Sequence, residues 1–295
     1  MRAAGFLALT VILSSLPSPA AAEPGRRVGR DVSYVENGDP AQRLDLRFPA
    51  GAGPFPVVIL VHGGGWSGGD KAGADKPGSG ADITPWFEPL AAAGFLSVSI
   101  NYRLAPAHPW PACLDDVRAA VAWVRSHAHE FGGDAERLAI VGHSAGGHLA
   151  LLAASPGPDG VAPVRAVVGC AAVNDLVADT RRRGGPSSSL QALFGIGSDT
   201  TPEVLERLAA VSPIHHLRSG YPPTLLIHGD ADKTVPLDQS LDWRERARGF
   251  GVDCELLVLP GAGHRLTEWT AKEPAWTGRW TDWLRSKLGP TKTTP

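Results

Sequence analysis

From residue 31 onward, short apolar runs alternate with amphipathic stretches of ten to twenty residues, the pattern left by βα units that feed a largely parallel sheet. Residues 32–35 and 44–48, separated by the turn residues Asn37-Gly38-Asp39-Pro40, predict an opening antiparallel hairpin. The runs 57–61, 95–100, 138–141, 164–169, 224–227 and 254–259 then predict buried strands, which brings the sheet to eight. Between them, 111–131 carries Val117, Ala120, Val121 and Val124 at helical spacing, with Asp115 and Asp116 in the first turn where negative charge suits the helix dipole. Further helices are expected at 145–154, 236–249 and 272–288. The stretch 174–217 is different: it is rich in Gly, Ser and Arg and holds one short helical window, 202–210. It reads as an insertion or lid over a site, and Arg181 to Arg183 within it as a solvated loop. No internal repeat is present. The fold class expected is α/β, with helices on both faces of the sheet.

Composition adds limits. The chain has 295 residues, 43% of them hydrophobic and 20% charged, enough to bury a large core in one domain over 23–295. A net charge of -2 leaves no broad basic field, so a nucleic-acid partner is not expected. At the amino terminus Arg2 precedes an apolar stretch from Phe6 to Leu16, then Pro17, Pro19 and Ala20-Ala21-Ala22. That order predicts a secretory signal peptide over 1–22, its apolar part too short to cross a bilayer, and a secreted or periplasmic mature protein without a membrane span. Cys113, Cys170 and Cys254 allow at most one disulfide, and the last two lie in apolar runs where a buried thiol packs as a small hydrophobe. No His or Cys pair has zinc spacing, so neither a metal nor another cofactor is expected.

Chemistry is concentrated at strand ends. Gly142-His143-Ser144-Ala145-Gly146 fits G-x-S-x-G, follows an apolar strand and opens a helix, the sharp turn that exposes a serine hydroxyl. Ser144 is the candidate nucleophile. A serine needs a base and a group to orient that base. His264, in the glycine-flanked turn after 254–259, is the candidate base. Asp230 and Asp232 both follow 224–227; Asp232, which leads the D-x-x-V-P run, is the candidate acid, and Asp230 a turn or helix-cap carboxylate. After 57–61 comes His62-Gly63-Gly64-Gly65-Trp66, whose glycines let backbone N–H groups approach a ligand closely. Gly64 and Gly65, joined by Ala145, are the candidate oxyanion donors, and His62 braces the loop. Trp66 and His143 are the candidate substrate-binding side chains, although Trp66 serves equally well as packing for its own loop.

Four motifs together, His62 to Trp66, Asn101-Tyr102-Arg103-Leu104-Ala105-Pro106, Gly142 to Gly147, and His228 to Pro236 with His264, resemble the α/β-hydrolase fold. The likeness is to serine esterases of the hormone-sensitive-lipase group and their exported carbohydrate-esterase cousins. It implies that Tyr102 and Arg103 with Asp116 hold the loops beneath the site. Residues 23–55 are short, rich in Gly and Pro and strand-like, so the helical cap usual in that group is not expected and the site should be open. The better match is the compact acetyl-xylan and feruloyl esterase-like branch, which implies short acyl or aryl esters of small molecules or polysaccharide as substrates. Trp66, Trp86 and Trp110 then serve as stacking surfaces or as ordinary core. The arylformamidases are also similar, but normally intracellular. A prolyl-oligopeptidase type needs a large gating domain, and a non-catalytic binding protein should have lost a triad or oxyanion residue; none is missing.

Overall fold

The computed structural model describes residues 28–36, 38–73 and 81–289; the segment read as a signal peptide lies outside them. Each apolar run read as a strand overlaps one, although residues 34 and 35 of the first lie past its strand's end: β1 (Val28–Ser33), β2 (Arg43–Arg47), β3 (Phe55–Val61), β4 (Leu96–Ile100), β5 (Gly133–His143), β6 (Ala166–Cys170), β7 (Thr224–Gly229) and β8 (Cys254–Leu259). They build one sheet in the order β1-β2-β4-β3-β5-β6-β7-β8. β2 runs antiparallel to β1 and β4, and the remaining neighbours are parallel. This is the α/β-hydrolase architecture.

Alternation along β3 explains why both faces are covered. Val57, Ile59 and Val61 join a core with α2 (Ala112–His127) and α3 (Ala145–Ala153), whereas Val58 and Leu60 join a second core on the opposite face. That second core is roofed by α1 (Phe87–Ala92) and by two later helices, Leu266–Lys272 and Trp276–Leu288, rich in tryptophan. Trp86 is fully buried there against Trp280, so it is core and not a stacking surface. All three cysteines are free thiols; Cys113 and Cys170 are buried.

Between β6 and β7 the expected loop with one helical window is instead three helices, α4 (Leu176–Arg183), α5 (Ser188–Phe194) and α6 (Pro202–Ala210). Caps specify them more than apolar periodicity does. The Asp175 side chain accepts from the N–H groups of Val177 and Ala178, Ser187 from Leu190, and Thr201 from Val204. Gly184 and Gly195 end α4 and α5 in the left-handed conformation. Leu176, Leu190, Leu193, Phe194 and Leu208 turn inward onto the α3 side of the core.

Strand order also positions the site. From β3 the chain goes to β4 on one side and then returns past it to β5 on the other, so the carboxyl ends of β3 and β5 flank a crevice at a topological switch point. The His62 loop leaves one of those ends and Ser144 the other.

Candidate active site

Ser144 sits at φ 53°, ψ -119° between the end of β5 and the first residue of α3. Such a backbone costs roughly 1–3 kcal/mol and persists only if its surroundings fix it. Here its N–H donates to the carbonyl of Cys170 at 2.9 Å and its carbonyl accepts from the His148 N–H at 3.0 Å. The glycines two residues either side are required by close approach. A Cβ on Gly142 would strike the Gly146 carbonyl, and one on Gly146 the carbonyls of Val61 and His62. The G-x-S-x-G turn is therefore pressed directly against the end of β3, which is what brings the oxyanion loop to the serine.

The structure brings Ser144, His264 and Asp232 together from the ends of β5, β8 and β7. Ser144 Oγ donates to His264 Nε2 at 3.0 Å, and His264 Nδ1 donates to Asp232 Oδ2 at 2.7 Å. The second carboxylate oxygen, Oδ1, accepts the N–H groups of Thr234 at 2.8 Å and Val235 at 2.9 Å. Burial opposes charge on Asp232, but the hydrogen bonds from His228 and His264, with the Val235 N–H, hold its carboxyl well below the usual carboxylate range. His228 is a positioning residue that sequence reasoning passed over. Its ring is fully buried, bonded to Ser240 Oγ through Nδ1 at 2.8 Å, while its Nε2 donates to the Val235 carbonyl at 2.9 Å and, more weakly, to Asp232 Oδ2 at 3.5 Å. Asp230 takes the turn role expected of it, accepting the Gly261 N–H at 2.7 Å.

Gly64, Gly65 and Ala145 line the same cleft as Ser144. Gly64 (φ +106°) and Gly65 (φ +60°) hold backbone conformations that L side chains rarely adopt. Beneath them the loop is braced as the resemblance implied. The Tyr102 hydroxyl donates to the His62 carbonyl at 3.0 Å while the two rings stack at 4.4 Å. The Arg103 guanidinium forks onto the buried Asp116 carboxylate at 2.7 and 2.9 Å. Trp66 lines the cleft and packs edge-on against His148 of α3.

His143 is a correction. It does not line the cleft; its ring is completely buried behind His264, 4.9 Å between centroids, and its Nε2 donates to the His264 carbonyl at 2.9 Å. It props the base rather than meeting a substrate. Burial, followed by the neighbouring His264, pushes the imidazole down from the ordinary 6.5 to about 3, and burial likewise pushes His148 down to about 4. Both rings stay neutral in the fold at pH values where the unfolded chain would protonate them. Their stabilisation is thus complete above about pH 6.5 and is lost as pH falls toward 4, at about 1.4 kcal/mol per pH unit for each histidine. Guanidinium midpoints measured between about pH 7 and pH 4.5, above the carboxylate range, should fall steadily, and His148→Gln should halve the slope. A flat profile over that window contradicts the assignment.

The cleft is about 490 Å³. Its far wall comes from the three-helix segment through Asp179, Arg183 and Ser187 to Leu190, with Thr234 and Val235 beside them. The Arg181 to Arg183 run is thus exposed, as expected, but ends a helix rather than forming a loop. Arg182 and Arg183 both pair with Asp179, at 2.7 and 2.8 Å, and both donate to the Thr234 carbonyl. The available signal was the spacing: Asp179 lies three and four residues before the two arginines, on one helix face. Among the described residues no group of His, Cys, Asp and Glu side chains could hold a metal ion, and no helix is long and apolar enough to cross a membrane.

A polarised serine at a strand-to-helix turn, facing backbone donors, is the arrangement used for acyl transfer. Comparison with known proteins points the same way. The BD-FAE family model matches residues 44–246, which include the oxyanion loop, the nucleophile turn and Asp232. The chain belongs to the BD-FAE family. Esterase LipC of Mycobacterium tuberculosis is 35% identical over 254 residues, 77% of this chain and 57% of LipC. The probable carboxylic ester hydrolase LipM of the same organism is 34% identical over 75% of this chain and 50% of LipM. The chain spans about half the length of these curated relatives. A truncated carbohydrate esterase from gut microbiota superposes with a TM-score of 0.76 at 25% identity, over 90% of this chain and 98% of the other.

Proposed function

We propose that this chain is a serine carboxylesterase acting on short-chain acyl or aryl esters, with polysaccharide-borne acetyl or feruloyl groups as the natural class. The observation that carries the reading is the unbroken hydrogen-bond chain from Ser144 and His264, which line the cleft, to Asp232 behind them. Ser144 Oγ attacks the ester carbonyl as His264 Nε2 takes its proton, and the N–H groups of Gly64, Gly65 and Ala145 receive the oxyanion. The imidazolium, held by Asp232, then protonates the departing alcohol. A water molecule activated by the same nitrogen releases the acid from the acyl-enzyme. The names of LipC and LipM support ester hydrolysis, and the gut carbohydrate esterase supports a sugar-borne ester.

The reading includes export, which rests on the order of charged, apolar and small residues over 1–22; intact mass of exported protein should lack them, and their retention would remove this part. Activity is tested by a panel of p-nitrophenyl esters from acetate to palmitate, acetylated xylan, methyl ferulate and N-formylkynurenine. Turnover should be highest on acetate, xylan or feruloyl esters. Preference for the formamide would move the chain to the formamidases, and silence from folded protein would favour a binding role.

A further inference from the structure

The wall opposite the oxyanion loop has a chemical character that ester hydrolysis does not require. Among the described residues lining the cleft, Asp179 is the one carboxylate and Arg183 the one arginine. That carboxylate is shared: Arg182 takes Oδ1 and Arg183 takes Oδ2, so two cations face a single anion. Asp232 does not compete for these guanidinium groups, since its oxygens are buried and taken by His264, Thr234 and Val235. Arg183 is also fixed in place. Its Nε holds Asp179 at 2.8 Å and its Nη2 holds the Thr234 carbonyl at 2.6 Å, which leaves Nη1 without a partner among the described residues, on a side chain that is 32% exposed. A guanidinium pinned on two edges and open on the third is preorganised to bind an anion with little further loss of entropy. Beside it, Ser188 and Ser189 also line the cleft, and Ser189 Oγ lies against Gly65 of the oxyanion loop.

The geometry points to Arg183 as a specificity residue that selects esters whose alcohol half carries a carboxylate, such as an acetylated sugar acid, over their neutral counterparts. The inference rests on the esterase reading above. A carboxylate on the alcohol half meets Arg183 Nη1 while the acyl carbon sits at Ser144, and the serine hydroxyls suit a hydroxylated body. The attraction is between partly exposed charges, so salt weakens it.

The test is acetate release by the full chain from an acetylated methyl glucuronide and from the matching acetylated methyl glucoside, with p-nitrophenyl acetate as a third substrate. The ratio of kcat/KM for the charged over the neutral sugar ester should be about tenfold and should shrink as salt is raised. In Arg183→Gln the ratio should fall to near one, and Arg183→Lys should keep part of it. A purely structural role, through the tie to Thr234, lowers both rates together and leaves the ratio unchanged. An equal rate on both sugar esters, unmoved by salt or by Arg183→Gln, overturns the inference and leaves the esterase reading standing. No Ser144-dependent turnover of any of the three substrates overturns the esterase reading itself.

Discussion

Replacing Ser144 by alanine should lower kcat on p-nitrophenyl acetate by about 10⁴- to 10⁶-fold without loss of the fold. Among the described residues the side-chain oxygen makes one bond, to His264 Nε2, and removing it leaves that nitrogen close to a cleft. The strained backbone at φ 53° is held by the Cys170 carbonyl and by the close packing of Gly142 and Gly146, none of which involves the hydroxyl. Alanine can therefore occupy the same turn, and the melting temperature should change little. The residual rate measures what backbone donors alone achieve on a bound ester. Activity within a factor of ten of the parent, from protein shown to be pure and folded, would mean that another residue forms the acyl-enzyme.

Asp232→Asn should be nearly as damaging, with kcat lower by about 10⁴-fold and KM little changed. Every contact of this carboxylate requires an acceptor. Oδ1 accepts two backbone N–H groups, from Thr234 and Val235, and Oδ2 accepts His264 Nδ1–H. Asparagine has only one acceptor oxygen, and the two backbone donors will claim it. Its NH₂ then faces His264 Nδ1 and donates, so the imidazole must carry its proton on Nε2. In that tautomer the base cannot accept from Ser144. Stopped or steady-state rates on an activated ester, with circular dichroism to confirm folding, check the prediction. A loss smaller than tenfold would show that Asp232 does not set the tautomer, and would turn attention to the neighbouring His228.

The sheet was legible because a strand buried on both faces must be apolar at nearly every position, as β3 and β6 are. β5 begins earlier than its apolar run because Arg137 and Asp134 pair with each other, and Arg137 also donates to the Pro54 carbonyl, so polar residues extend the strand. The site residues were legible because Ser144 follows β5 directly and Asp232 and His264 lie in the loops just past β7 and β8, and in a parallel sheet those ends lie along one edge. Two things were less accessible. The helices α4 and α5 are only 8 and 7 residues long, too short for periodicity to stand out; their signals lay in Asp175, Ser187, Gly184 and Gly195. The inward turn of His143 depends on a partner 121 residues away, the His264 carbonyl, which no local pattern encodes. The same holds for Arg183, whose place in the cleft follows from docking α4 against Thr234.

The central claim is that Ser144 forms an acyl-enzyme at the junction of these loops. The most direct test is to quench the protein with acid during turnover of p-nitrophenyl acetate and map the acetylated peptide by mass spectrometry, with His264→Ala in parallel. The account predicts a single acetyl group on Ser144, accumulating with a burst of p-nitrophenol and absent from the His264 variant. Turnover with no acetyl on Ser144, or with the label on another side chain, would contradict it.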